Sequence, residues 1–185
     1  MYGPVAIPFA IKLYGTSTTT FNVSTNGVSN IPNIFFAVHQ IDEHQIVGLT
    51  APSPLSTAYS NAALPQAAVC NTCVFALWDD LFIQKGTSQG IFYQIDGVSP
   101  SRTLTVEFYT TQYNAYTNYY HWQTIFYEAR PDIVMNKYLN ITDSGVSATV
   151  GIQSISGEET EGKQLRVAID ADLGFTSGQT IAIFS

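Results

Sequence analysis

At 185 residues the chain is most economically one domain, expected to bury about 70% of the surface its unfolded form would expose and to fold without help from a metal or a disulfide. Charged residues make up only 11% of it, less than half the usual share of about 25%, so its polar surface must come mainly from 20 Thr, 15 Ser and 10 Asn. A net charge of -7, with 7 basic residues scattered singly from Lys12 to Arg166, offers no patch to neutralise phosphates, which argues against nucleic acid and anionic membrane surfaces as partners.

Taken in chain order, the sequence reads as a succession of strands at 5–15, 18–24, 33–39, 73–78, 90–96, 102–110, 121–129, 132–141, 146–153, 164–170 and 180–185. "RTLTVEFYT" is the clearest, with Leu104, Val106 and Phe108 on one face and Thr103, Thr105 and Glu107 on the other, the period of two of a half-buried strand. Turn residues punctuate the series at "TNG" (25–27), "KGTSQG" (85–90), "DGVSPS" (96–101), "DSG" (143–145) and "SGEETEG" (156–162). Nothing between them reads as an amphipathic helix. About eleven strands on one core predict an all-β fold, a two-sheet antiparallel β-sandwich. Residues 50–69, with three prolines and a run of small residues, read as an excursion with at most one helical turn. No apolar run approaches the roughly 18 residues that span a bilayer, so no membrane insertion is expected. The opening "MYGPVAIPFAIKLYG" carries neither the basic n-region nor the cleavage site of a secretory signal, so for a secreted chain the numbering is expected to begin after one.

The cysteines form "CNTC", Cys70 and Cys73. A C-x-x-C pair serves as half a zinc site, a redox pair or a short disulfide. Zinc needs two further ligands, which His39, His44 and His121 are not taken to supply, and no neighbouring helix suggests a thioredoxin-type site. A local disulfide is the preferred reading, with buried thiols next.

Two stretches are candidates for function. In "FALWDDLF" the adjacent carboxylates Asp79 and Asp80 sit between Trp78 and Leu81. Neighbours on a strand point to opposite faces, so they form no close dyad without a distortion. A glycosidase would need a second carboxylate within about 9.5 Å, drawn from Asp96, Glu107 or Glu128, and calcium would need several oxygens from a compact loop, without the D-x-D-x-D-G pattern. The bland reading has one Asp capping backbone N–H groups at the end of "CVFALW", the other facing solvent, and Trp78 and Leu81 packing inward. No cofactor is expected, with calcium kept as an alternative.

The second stretch is "FYTTQYNAYTNYYHWQ", in which Tyr113, Tyr116, Tyr119 and Tyr120 with neighbouring asparagines read as a loop over 109–120. Amphipathic rings and adaptable amides suit stacking on sugars or contact with proteins, and equally a long hairpin whose tyrosines cover a sheet edge. Trp122 points with Phe126 and reads as core. The acceptor pattern N-x-S/T occurs at Asn22 and Asn140, with the rarer N-x-C form at Asn71. No nucleophile elbow, phosphate loop or H-E-x-x-H motif is present.

Five blocks in order resemble nidogen-like (NIDO) extracellular modules: "VAIPFAIKLYGTSTTTFNVSTNGVSNI", "VFALWDDLFIQKGTSQGIFYQIDG", "SPSRTLTVEFYTT", "WQTIFYEARPDIVMNKY" and "SGVSATVGIQ". The likeness covers about residues 5–155 of a single domain 1–185 and leaves 156–185 as a C-terminal strand extension. It implies a non-enzymatic, extracellular β-sandwich of matrix, adhesion or cell-surface proteins, in which Trp78 to Leu81 is a structural hallmark without a catalytic role. The departures are "EFY" in place of E-W and the long Tyr/Asn stretch. The partners this implies are other copies of the chain, matrix or cell-surface proteins, or glycans. A hydrolase using Asp80 with Glu107 or Glu128 is the enzymatic competitor.

Overall fold

The computed structural model describes residues 5–23, 28–31, 60–64, 72–154 and 178–184. The expected strands at 33–39 and 164–170, Cys70, Asn71, His39 and His44 lie outside the described residues. The described residues form eleven strands: β1 (Val5–Leu13), β2 (Thr16–Val23), β3 (Val28–Ile31), β4 (Thr72–Trp78), β5 (Leu81–Phe82), β6 (Gly90–Asp96), β7 (Thr103–Gln112), β8 (Ala115–Tyr127), β9 (Ile133–Ile141), β10 (Thr149–Ser154) and β11 (Thr180–Phe184). Set aside the four-residue β3 and the two-residue β5, neither of which the hydrophobic pattern reveals, and nine remain. Among the described residues there is no helix.

The strands form two antiparallel sheets, one of five in the order β1-β2-β3-β4-β10 and one of six in the order β11-β9-β8-β7-β5 with β6 also on β7. The edge of β7 is shared: β6 pairs with Thr103 to Tyr109 and β5 with Thr111 and Gln112. Between them residues 83–89 form a connection with Ile83 and Gln89 buried, closed by Gln89 Oε1 accepting the Gln84 N–H at 2.8 Å. The terminal strand β11 is paired along its whole length with β9, so the C-terminal extension is not a free strand over these residues.

The expected alternation in β7 is present, with Leu104, Val106 and Phe108 buried and their neighbours half-exposed. They meet Ile7, Phe9, Ile11 and Leu13 of β1 and Val74, Ala76 and Leu77 of β4 in one core. Strand β4 departs from simple alternation. Its pairing with β10 shifts between Phe75↔Gly151 and Trp78↔Thr149, so Ala76 and Leu77 together oppose the single residue Val150. This bulge turns both Ala76 and Leu77 to the core and brings Phe75 and Trp78 to the same outer face, where their rings lie 5.0 Å apart. Both rings are buried, so β4 is covered on its two faces.

The hairpin joining β1 to β2 turns on Tyr14 and Gly15, with φ of 48° and 81°, the left-handed pair that a two-residue hairpin requires. The β6–β7 connection depends on Gly97: its φ is 87°, and a Cβ there would lie 2.7 Å from the Ser101 carbonyl oxygen.

Candidate functional site

The Trp78–Leu81 segment is where the chain leaves the five-stranded sheet for the six-stranded one, for β4 ends at Trp78 and β5 begins at Leu81. A strand that changes sheets must break its ladder at the corner and find other partners for the freed backbone groups. Asp79 supplies them. It is buried, its Oδ1 accepts the Asp80 N–H at 2.8 Å, and its Oδ2 accepts the Ser147 hydroxyl at 2.6 Å. Ser147 belongs to residues 142–148, the connection by which the chain crosses back from β9 to β10. One carboxylate therefore ties the two crossovers together. Trp78 and Leu81 on either side are buried. Asp80 is half-exposed, and burial together with the charge of Asp79 raises its pKa above the ordinary carboxylate value. Its carbonyl oxygen accepts the N–H of Tyr113 at 2.8 Å, which brings the second candidate stretch to the same end of the sandwich.

That stretch is not a loop over 109–120. Strand β7 continues to Gln112 and β8 starts at Ala115, leaving Tyr113 and Asn114 as a two-residue turn with Asn114 at φ 59°. Pairing then jumps from Gln112↔Ala115 to Thr111↔Tyr119, so Tyr116, Thr117 and Asn118 bulge from β8. The bulge is held by Asn118, whose carbonyl accepts the Thr111 hydroxyl at 2.8 Å and whose amide donates to Gln112 Oε1 at 2.8 Å. Gln112 also donates to the Ser147 hydroxyl at 3.4 Å, which joins the bulge to the Asp79 corner.

The four tyrosines separate. Tyr113, Tyr116 and Tyr119 are 39%, 46% and 39% exposed, and Phe82 of β5 packs between the first two at ring distances of 6.2 and 6.1 Å. Tyr120 is 1% exposed and donates its hydroxyl to Asp143 Oδ2 at 2.7 Å, so it is structural and cannot serve as a stacking surface. Burial first, then Asp143, raises the Tyr120 pKa. Asp143 also accepts the Gly145 N–H at 2.9 Å and so shapes the return crossover. Trp122 and Phe126 are core, as their pattern implies, with Trp122 stacked on Phe108 at 4.5 Å. Asn118 is one of the asparagines of the Tyr/Asn stretch, whereas Asp143, Ser147, Gln112 and Phe82 are not singled out by sequence. The "DSG" turn marks the first of them; the others carry no local signal.

The carboxylates suggested as partners of Asp80 are elsewhere. Glu128, beyond the end of β8, accepts Arg102 Nη2 at 2.6 Å and Nε at 2.8 Å, the Arg102 N–H at 3.2 Å and the Ser99 hydroxyl at 3.2 Å. The ten residues of β7 separate this pair from the Tyr113 end, on the order of 30 Å at about 3.3 Å per residue. Hydrogen bonding to Arg102 pulls the Glu128 pKa down to about 2. Glu107 faces outward from the middle of β7, bonded to His121 Nε2 at 2.7 Å and Gln123 Nε2 at 2.8 Å. Burial pushes its pKa up, but these bonds and the His121 charge outweigh it and leave the carboxyl below its usual range. Asp96 ends β6 beside Gln94, its partner at 2.7 Å. None of these comes within the spacing of a two-carboxylate hydrolytic pair with Asp80.

Among the described residues no three His, Cys, Asp or Glu side chains are grouped to hold a metal ion. Both Asp79 oxygens are already engaged. Cys73 is buried in β4, and Cys70, its expected disulfide partner, lies outside the described residues. Asn140 is exposed at the end of β9, and the backbone of Asn22 pairs with that of Asn30 across β2 and β3. Among the described residues no helix is long and apolar enough to cross a membrane.

Comparison with curated proteins and with solved structures finds no match. A family model described as NIDO related matches residues 1–169, and so extends past the strand β10 at which the sequence resemblance stops. With most of its length covered, the chain belongs to the NIDO-related family, a nidogen-like module whose kinship points to an extracellular setting.

Proposed function

We propose that this chain is a secreted structural or adhesive module that works by surface contact, with copies of itself or with matrix and cell-surface partners, and without turnover. One observation carries the reading. Tyr113, Tyr116 and Tyr119 stand exposed on a hairpin end that is tied by the Asp80 carbonyl, by the Gln112–Asn118 pair and by Phe82. Aromatic rings held in place lose little conformational entropy when a partner covers them, which is the property of a contact surface. A chain of low charge density adds little electrostatic repulsion to that contact. Light scattering and electron microscopy at high concentration, with binding to immobilised matrix, test it. The wild type is expected to associate or adhere, and Y113A/Y116A/Y119A to lose this while melting normally. A strictly monomeric, non-adherent wild type would remove the proposal.

A second reading, a carbohydrate-binding module, is supported by the amides of Gln112 and Asn118 beside the same rings, since stacking faces flanked by amide donors and acceptors suit sugars. A glycan array with and without EDTA separates the two, and also tests calcium assistance.

A further inference from the structure

The sequon Asn140-Ile141-Thr142 closes β9, where the Thr142 hydroxyl accepts the Tyr119 N–H at 3.0 Å and donates to the Tyr119 carbonyl at 2.8 Å, and the geometry around Asn140 sets it apart from a chance match. Along β9 the inward residues Val134, Asn136 and Tyr138 are buried. Opposite β8 the register runs Trp122↔Tyr138 and then His121↔Asn140, so Leu139 is an extra residue. This bulge places Asn140 outward and exposed, with Ile141 beside it buried. Strand β7 continues the row with Tyr109 opposite His121. Asn140, His121 and Tyr109 thus lie side by side across the outer face of the six-stranded sheet. The two rings are 5.3 Å apart at 42°. Glu107 holds the His121 ring through Nε2 at 2.7 Å, so the platform is fixed before anything rests on it.

Residues directly opposed on one face have Cβ atoms about 5 Å apart, close to the width of a sugar ring. A sugar on the Asn140 amide would lay its C–H face on His121 and Tyr109, the arrangement aromatic rings favour. We propose that Asn140 carries an N-linked glycan whose first sugar packs on His121 and Tyr109. The donor is a lipid-pyrophosphate-linked oligosaccharide: the amide nitrogen bonds to the anomeric carbon and loses a proton, and the lipid pyrophosphate leaves. This inference shares the secreted setting of the proposed function but rests on the exposed face of β9 and not on the rings of Tyr113, Tyr116 and Tyr119, so adhesion and glycosylation can each fail alone.

The test is expression of the full chain behind a secretory leader in N-glycosylating cells, followed by peptide mapping and intact mass before and after complete enzymatic deglycosylation. The residue 140 peptide is expected to carry one glycan, lost in N140Q and kept in T142S. An unmodified peptide overturns the proposal. Packing is read by melting temperature: trimming to the first sugar should leave it unchanged, complete removal should lower it, and in H121A complete removal should have no further effect. An equal drop in H121A and wild type would show that the sugar does not rest on the ring.

Discussion

The two ends of the β7–β8 hairpin are both fastened to the opposite sheet, by different chemistry. At the open end Arg102 makes a forked ion pair with Glu128, donates to the Pro8 carbonyl of β1 at 2.8 Å and stands 5.4 Å from the Phe9 ring centre. At the turn end the fastening runs through neutral donors. Asp79 and Ser147 tie the two crossovers, neutral amides hold the bulge, and the tyrosines are left on the surface. A buried carboxylate satisfied by N–H and O–H donors senses the loss of its partners. The end that carries the contact surface is the one whose carboxylate is held by N–H and O–H donors.

The largest effect should follow from emptying the packing beneath the turn end. W78A removes a buried ring in contact with Phe75 and should cost about 3–5 kcal/mol in denaturant unfolding. D79A strands the Asp80 N–H and the Ser147 hydroxyl, and about 2–3 kcal/mol is expected. At the open end, G97A meets the Ser101 carbonyl in a left-handed backbone and should cost about 1–3 kcal/mol. A D79A loss well below that of G97A would show that the crossovers are not joined through Asp79.

How much of this was legible follows from where each interaction reaches. Strands β1 and β7 declare themselves because a period of two is local, and Gly97 in "DGVSPS" marks its turn for the same reason. Of the two readings of the hairpin end, the long hairpin holds and the loop does not; pattern alone leaves both open because Tyr116, Thr117 and Asn118 bulge, which destroys alternation on β8 although Tyr and Thr are good strand residues. Asn114, the residue there that best tolerates the left-handed region, was the available clue to a two-residue turn. The adjacent aspartates could be read as a cap at the end of a strand. That Asp79 reaches Ser147, 68 residues away, could not, since that contact is decided by the paths of two crossovers.

The pH response should separate the ends further. Glu128 is held at about 2 when folded, below its ordinary value near 4.5. Its contribution to stability is therefore complete above about 4.5 and is lost as pH falls from there through about 2. Thermal melts of wild type and E128Q should differ at neutral pH and converge toward pH 2, while D79A should remain less stable than wild type at neutral pH in the E128Q background. Convergence already complete at pH 5 would mean that the Arg102 bonds do not hold the Glu128 carboxylate.

The smallest effect distinguishes the two aspartates. The sequence has one of the two aspartates cap the strand end without saying which, so either substitution could be expected to destabilise. The structure moves that expectation to Asp79, because the Asp80 side chain is half-exposed and its charge is disfavoured by burial and by Asp79. A carboxyl whose folded pKa is raised subtracts stability as pH climbs past its unfolded value, so neutralising it should recover that loss at pH 7. D80N should thus be neutral or stabilising, within about 0.5 kcal/mol, with the difference vanishing in acid where both forms are uncharged. A clear loss at pH 7 would assign Asp80 an accepting role for its carboxylate that the Asp79 corner does not require, and would reopen the question of what it binds.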